Sequence, residues 1–240
     1  MKFAIIAAGE GSRLAKEGVE SPKPLVKVNG EALIDRLIRI FMNNNATGIY
    51  VICNDMGHEV QSHLAEIQEN GLDGNKVPLH YIVKSTPSSM HSFYELRDFL
   101  RDEPFCLTTV DTIFDEKEFK TYIRTLQNVY SSGIADGVMG ITDFIDDEAP
   151  LYIALEDDII TGFYDDAHHC QYVSGGVYGL TPNSIETLEK SVGRGESRMR
   201  NFQRALITDG KKFLGFRFSK VLDIDHAIDI QKAEEFLNNC

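Results

Sequence analysis

The sequence contains no long hydrophobic run. No apolar stretch approaches the ~20 residues that a membrane-spanning helix needs, so we expect no membrane partner. Residues 1–8 are apolar, but Glu10 and Arg13 follow at once, which is not the pattern of a secretory signal. We therefore expect a cytoplasmic protein.

Basic residues are scarce. The chain has 24 lysines and arginines against 37 aspartates and glutamates, which gives a formal net charge of −13. Such a surface repels a nucleic-acid backbone, so a nucleic-acid partner is excluded. A nucleotide would also be repelled unless a few cations were concentrated at one point. A nucleotide-binding function would therefore require a small local group of basic residues.

Cysteine is also rare and dispersed. The four cysteines form no CxxC pair, which argues against a zinc site and against thioredoxin-like chemistry. Free thiols that pack as small hydrophobic side chains are the expected state. They are Cys53, Cys106, Cys170 and Cys240.

The hydrophobic pattern predicts one α/β domain, and 240 residues suffice for one large core. In the first half, apolar runs alternate with segments of helical spacing, which predicts a parallel sheet covered on both faces. The predicted strands are 2–7, 49–53, 79–83 and 105–110, and the predicted helices are 31–42, 58–68, 89–100 and 116–130. The second half is less regular, with short strands at 137–144, 151–155, 159–163, 172–180 and 213–218 and helices at 198–209 and 228–237.

A glycine-rich loop follows the first predicted strand. Gly9 and Gly11 allow the backbone to approach a phosphate and to point N–H groups at it. Ligands of parallel sheets bind beyond the carboxyl ends of the strands, where this loop lies. A dinucleotide-binding Rossmann fingerprint would need a third glycine where Leu14 stands. A tight turn without a ligand remains the alternative.

Lys23 stands between Pro22 and Pro24. The two prolines fix φ and disfavour helix before them, which predicts a stiff, extended presentation of the lysine. A solvated surface loop remains the alternative at this point.

Together, AAGEGSRL and PKPLVKVNGEALID resemble the opening motifs of the sugar-phosphate nucleotidyltransferase superfamily, G-x-G-[ST]-R-[LM] followed by P-K-x-[LM]. The resemblance implies the nucleotide-diphospho-sugar transferase fold, a Rossmann-like three-layer α/β/α arrangement with a mostly parallel central sheet. It also implies a single catalytic domain over 1–240. Residues 1–135 would form a nucleotide-binding half and residues 136–240 an acceptor-binding half.

The resemblance assigns the NTP to the glycine-rich loop. Arg13 and Lys23 would stabilise the charge that develops as pyrophosphate leaves, which suits a reaction that depends on positioning and charge stabilisation. Ser88 and Ser89 would contact the base, although a helix N-cap explains them equally well. The phosphate-binding residues implied are Ala7, Ala8, Gly9, Glu10, Gly11 and Ser12.

Aspartates predict a Mg²⁺ cofactor. Asp111 follows the strand 105–110, and the resemblance makes it the first metal ligand, with a turn or cap residue as the alternative. Asp223 and Asp225 alternate along one predicted strand and so share a face. They lie in a segment similar to the family's closing element, W-x-D-[IV]-[GD]-T-P-x-D-L, and which of the two binds metal stays open. Asp229 is expected to cap the last helix, and the sequence departs from the pattern at Val221, His226 and Ala227.

Gly175 and Gly176 resemble the acceptor-lining N-A-G-[IV]-Y strand, with a β-bulge as the alternative. The lysine of the family's E-K-P stretch, which grips the acceptor phosphate, is missing from residues 161–166. The candidate replacements for it are His168, His169, Arg198 and Arg200.

The leading hypothesis is therefore an enzyme that transfers a nucleoside monophosphate from Mg–NTP to a small phosphorylated acceptor, with a sugar 1-phosphate as the first candidate. One alternative is a cytidylyltransferase acting on phosphocholine or a similar alcohol phosphate. Another is a non-catalytic nucleotide sensor on the same fold. The sequence leaves the base, the acceptor and homo-oligomerisation open.

Overall fold

A computed structural model describes all residues, 1–240, and its central feature is a nine-stranded sheet. The sheet strands are β1 (Lys2–Ala7), β4 (Gly48–Cys53), β5 (Leu79–Val83), β6 (Phe105–Thr109), β8 (Gly137–Thr142), β9 (Tyr152–Glu156), β10 (Ile159–Tyr164), β11 (Tyr172–Leu180) and β12 (Phe213–Arg217). Two small ribbons pair β2 (Lys27–Val28) with β3 (Glu31–Ala32) and β7 (Thr112–Phe114) with β13 (Val221–Asp223).

The sheet is mixed, so a mostly parallel sheet is not confirmed. Its strand order is β5-β4-β1-β6-β11-β8-β12-β10-β9. The first four strands are parallel, as the alternating pattern of the first half predicts. β11 then inserts antiparallel to both β6 and β8, and β9 and β10 are also antiparallel to their neighbours. The acceptor half therefore departs from the parallel pattern.

Helices cover both faces, which gives the three-layer α/β/α arrangement. On β1, Phe3 and Ile5 pack into one hydrophobic cluster and Ala4 and Ile6 into the other, because successive strand side chains point to opposite faces. The helices are α1 (Ser12–Lys16), α2 (Leu33–Asn43), α3 (His58–Asn70), α4 (Ser89–Leu96), α5 (Glu116–Ser132), α6 (Ser184–Gly193), α7 (Met199–Thr208) and α8 (Ala227–Leu237). None of them is both long and apolar enough to cross a membrane.

The segment around Lys23 differs from its predicted form. Pro22 is extended, with ψ of 142°, but Lys23–Leu25 forms a 3₁₀ turn. The Leu25 N–H donates to the Pro22 carbonyl at 2.8 Å, and this bond closes the turn. Lys23 is thus held by a tight turn rather than by extended backbone.

Close backbone approach at Gly137 gives a test of the core. A Cβ at this position would overlap the Gly179 carbonyl and lie 2.5 Å from the Phe213 ring. We expect Gly137→Ala to lower the free energy of unfolding by about 2 kcal/mol in urea denaturation. Gly193→Ala is the matched control, because its added methyl meets nothing within 4 Å and alanine favours the helix that contains it, so this variant should be at least as stable as the wild type. Equal stability of the two variants would contradict the close packing of Gly137 against Gly179 and Phe213.

Candidate functional site

The glycine-rich loop connects β1 to α1 at the carboxyl edge of the parallel strands. Gly11 has φ of +62°, and a Cβ there would lie 3.2 Å from the Lys23 Cβ. Glycine is therefore required both by conformation and by the close approach of Lys23. A Cβ at Gly9 would meet nothing within 4 Å, so this side of the loop is open.

Two cations and two carboxylates from distant parts of the chain meet beside this loop. Lys23 Nζ donates to Asp111 Oδ2 and, at 2.9 Å, to Asp225 Oδ1. Arg13 Nη1 donates to Asp225 Oδ2 at 2.8 Å. The structure thus joins Arg13, Lys23, Asp111 and Asp225, which lie up to 212 positions apart in the sequence.

These contacts favour the charged forms of Lys23 and Asp225. Burial opposes the charge of Lys23, but Asp111 and Asp225 outweigh it and raise the lysine pKa above its ordinary value. Burial likewise opposes the charge of Asp225, but Lys23 and then Arg13 hold its pKa below the ordinary value. The local group of cations that the acidic composition requires is therefore present at this edge.

Asp223 lies beside Asp111 without a cation of its own. β13 pairs with β7 in a register that places Asp223 opposite Thr112, the residue after Asp111. The Asp223 side chain is exposed to solvent, yet protein atoms surround its carboxyl group. This crowding and then the Asp111 charge raise its pKa to about 7, although Lys23 opposes the rise.

The carboxylates present fit a divalent cation. Asp111 Oδ1 is buried and has no hydrogen-bond partner, which is costly for a charged group. A cation between Asp111 and Asp223 would satisfy that oxygen and relieve the repulsion between the two residues. No group of three or more His, Cys, Asp or Glu side chains forms a metal cage, but Mg²⁺ needs only one or two carboxylates when substrate phosphates supply the rest.

A cavity of about 440 Å³ opens in front of the loop. Ala7 is the one residue of the predicted nucleotide set that does not line it, because Ala7 ends β1 and is buried in the sheet. The predicted residues that do line it are Ala8, Gly9, Glu10, Gly11, Ser12, Arg13, Lys23, Ser88, Ser89 and Asp111.

A second cavity of about 250 Å³ adjoins the first and shares Arg13 and Asp225 with it. Gly175 lines it but Gly176 does not. Gly176 instead has φ of +68° at an irregularity in the pairing of β11 with β8, which agrees with the bulge alternative. The ionisable residues that line this cavity are Arg13, Asp146, Asp147, Glu148, Asp223, Asp225, His226, Asp229 and Lys232.

None of the four proposed substitutes for the missing lysine lines either cavity. Arg200 is instead paired with Asp165 at 2.6 Å, and His168 packs on the Tyr164 ring. The cation that sequence reasoning missed is Lys232, which pairs with Asp146 at 2.7 Å at the second cavity. Its helix was predicted, but no local signal marks which face of the helix meets the cavity.

Asn54 and Glu17 are further residues that sequence reasoning missed. The Asn54 amide donates to the Gly9 carbonyl at 3.1 Å and so supports the glycine-rich loop. Asn54 directly follows the buried parallel strand β4, and a polar residue in that position is the sequence signal that could have indicated its role. Glu17 contacts His226 and the first turn of α8, and nothing in the sequence indicates this contact. The expected capping role of Asp229 is confirmed, because its Oδ2 accepts from the His226 N–H at 2.8 Å.

Known proteins share both the sequence pattern and the fold. The profile of the family described as Nucleotidyl transferase matches residues 2–239. A glucose-1-phosphate cytidylyltransferase of Salmonella typhimurium is 26% identical over 65 residues, which are 27% of this chain and 25% of that protein. The CMP-5′-(3-aminopropyl)phosphonate synthase of Streptomyces rubellomurinus is 25% identical over 164 residues, 61% of this chain and 25% of that protein.

Each match therefore spans a quarter of the length of these relatives. Among solved structures, the inositol-1-phosphate CTP transferase from T. maritima superposes with a TM-score of 0.75 at 18% identity. That alignment covers 98% of this chain and 97% of the other. At such identity the similarity demonstrates the shared fold.

Proposed function

Since the chain belongs to the nucleotidyl transferase family, we propose that it transfers a nucleoside monophosphate from Mg–NTP to a small phosphorylated acceptor and releases pyrophosphate. A sugar 1-phosphate is the first candidate acceptor. The observation that carries the proposal is the meeting of Arg13 and Lys23 with Asp111 and Asp225 at one rim of the larger cavity.

In the proposed reaction, an acceptor phosphate oxygen attacks the α-phosphorus in line. A bond forms between them, and the bond from the α-phosphorus to the α–β bridging oxygen breaks. The electron pair leaves with pyrophosphate. No general base is needed, because the second ionisation of a phosphate monoester has a pKa of about 6.

The residues at the rim act by position and charge. The backbone around Gly9 and Gly11 binds the triphosphate, because this open loop at the end of a parallel strand can donate its N–H groups to phosphate oxygens. When the triphosphate binds, Arg13 and Lys23 release Asp225 and contact phosphate oxygens instead. They then stabilise the leaving pyrophosphate. The base lies at the other end of the cavity, against Ser88 and Ser89.

We assign the Mg²⁺ to Asp111 and Asp223. Asp111 has an oxygen without a partner, and Asp223 has no cation beside it, whereas Asp225 is engaged by both Arg13 and Lys23. When bound, the cation would neutralise phosphate charge and orient the triphosphate. We also propose that 1–240 is one catalytic domain, with 1–135 holding the nucleotide and 136–240 supplying the acceptor cavity.

The acidic lining of the second cavity favours a second candidate acceptor, one that bears a cationic group beside its phosphate or phosphonate. Asp146, Asp147 and Glu148 form one wall, while residues 161–166 contain no lysine for a sugar phosphate. Phosphocholine and aminoalkyl phosphonates have this charge pattern. The similarity to the aminopropylphosphonate enzyme supports the same class.

A pyrophosphate-release screen tests both candidates. The four NTPs are each combined with sugar 1-phosphates, phosphocholine, phosphoethanolamine and 3-aminopropylphosphonate in the presence of Mg²⁺. We expect release with one NTP and one acceptor class, and faster release with the amine-bearing acceptors would identify the second candidate. Tight Mg–NTP binding without release for any acceptor would support the nucleotide sensor instead.

A further inference from the structure

The turn that carries Asp225 is held by two carboxylates from outside it. The N–H groups of Asp225 and His226 both donate to Asp229 Oδ2, at 3.2 and 2.8 Å. The Ala227 N–H donates to Glu17 Oε2 at 2.7 Å, and His226 Nδ1 lies 2.6 Å from Glu17 Oε1. Every backbone N–H of residues 225–227 is therefore bound to a carboxylate oxygen.

Glu17 and Arg13 belong to the same structural unit. Arg13 lies in α1 and Glu17 is its C-cap, so the two residues are four positions apart and share a face of the helix. Arg13 contacts the Asp225 side chain, and Glu17 contacts the two residues that follow. The helix after the glycine-rich loop is thus attached to the Asp225 turn at two points.

Nucleotide binding affects the two attachments differently. Arg13 lines the larger cavity, and in the proposed function, on which this inference rests, it moves from Asp225 to phosphate oxygens. Glu17 and Ala227 line neither this cavity nor the second one, so the bond between them lies outside both cavities and remains when substrates bind. The Ala227 N–H donates to Glu17, and this bond could not form if proline stood at position 227. The family pattern has proline there, and this chain departs from that pattern at 226 and 227.

We propose that Glu17 is a positioning residue: it holds the 225–227 turn against α1 while Arg13 and Lys23 exchange Asp225 for the triphosphate. Asp223, two residues before that turn, is placed by the pairing of β13 with β7, and the Glu17 contact holds the chain that follows it. Outer residues that orient metal-binding carboxylates typically change metal affinity or activity by about 10–100-fold when they are replaced.

Two variants remove the contact in different ways. Glu17→Gln keeps the side-chain size but loses the charge and one acceptor oxygen. Ala227→Pro deletes the N–H donor alone, at the first residue of α8, where proline is well tolerated in helices. Glu20→Gln is the matched control, because Glu20 is exposed, lies three residues further on and contacts no part of the turn.

Hydrogen exchange of residues 223–230 is measured with Mg²⁺ and the α,β-methylene analogues of the four NTPs, and steady-state kinetics follow on the full chain. We expect exchange to be about 10-fold faster in Glu17→Gln and Ala227→Pro than in the wild type. We also expect kcat to fall about 10-fold, with the KM for NTP changed less than about threefold. Glu20→Gln should match the wild type in every measurement.

Wild-type exchange in both variants with the analogue bound would overturn the proposal, as would a loss confined to KM. The exchange measurement needs no turnover. If the wild-type enzyme released no pyrophosphate with any acceptor, the proposed reaction would fail. The role of Glu17 would still be decided by the exchange rates.

Discussion

Asp111→Asn is expected to lower kcat about 10³-fold and to leave the protein folded with nearly wild-type stability. Asparagine retains the shape but removes the charge that we assign to Mg²⁺. The effect on stability is small, because two changes oppose each other. Lys23 loses one of its two carboxylates, while Asp223 loses a like-charged neighbour. Pyrophosphate release at several Mg²⁺ concentrations and urea unfolding measure the two quantities.

Asp143→Asn is the matched control for this substitution. Asp143 is an exposed aspartate that directly follows β8 of the same sheet, and it lines neither cavity. We expect wild-type kcat and stability for it. Near-normal turnover by Asp111→Asn would remove Asp111 from the metal site, and unfolding of the variant would make its contact with Lys23 a structural one.

The parallel part of the sheet was predictable because its signals are local. β1 and β4 are continuous apolar runs, as strands buried on both faces must be, and their predicted bounds agree with the structure to within a residue. Since parallel strands end at one edge, the loop at Gly9 and the aspartate at 111 could be expected to lie close together. The closeness of the glycine-rich loop and Asp111 therefore follows from the parallel arrangement of the strands in this half.

The antiparallel insertion of β11 was not predictable from local pattern. Its pairing with β6 and β8 depends on contacts between residues 31 to 75 positions apart, and periodicity carries no information on which strands become neighbours. The three-residue pairing of β7 with β13 is likewise too short to leave a periodic signal, yet it places Asp223 beside Asp111. The bonds of Lys23 to both Asp111 and Asp225 depend on these pairings.

The second large effect is expected from Lys23→Gln, because it removes the cation between two carboxylates. Lys23 is only 11% exposed and Asp111 only 16%, so water screens the charge of Asp111 poorly once the lysine is gone. We expect a loss of about 2 kcal/mol in the free energy of unfolding without divalent cations. We also expect kcat to fall about 10²–10³-fold, because the leaving pyrophosphate loses a stabilising charge.

Magnesium distinguishes the electrostatic role of Lys23 from a packing role. In the variant, Asp111 and Asp223 repel each other without a lysine nearby, so Mg²⁺ should raise the Tm of Lys23→Gln more than it raises the Tm of the wild type. Lys27→Gln, an exposed lysine four positions on without an ion pair, should respond to Mg²⁺ as the wild type does. If Mg²⁺ raised the Tm of Lys23→Gln and of the wild type equally, the lysine would not balance the charge of the metal-binding aspartates. The assignment of Mg²⁺ to Asp111 and Asp223 would then lose its electrostatic basis.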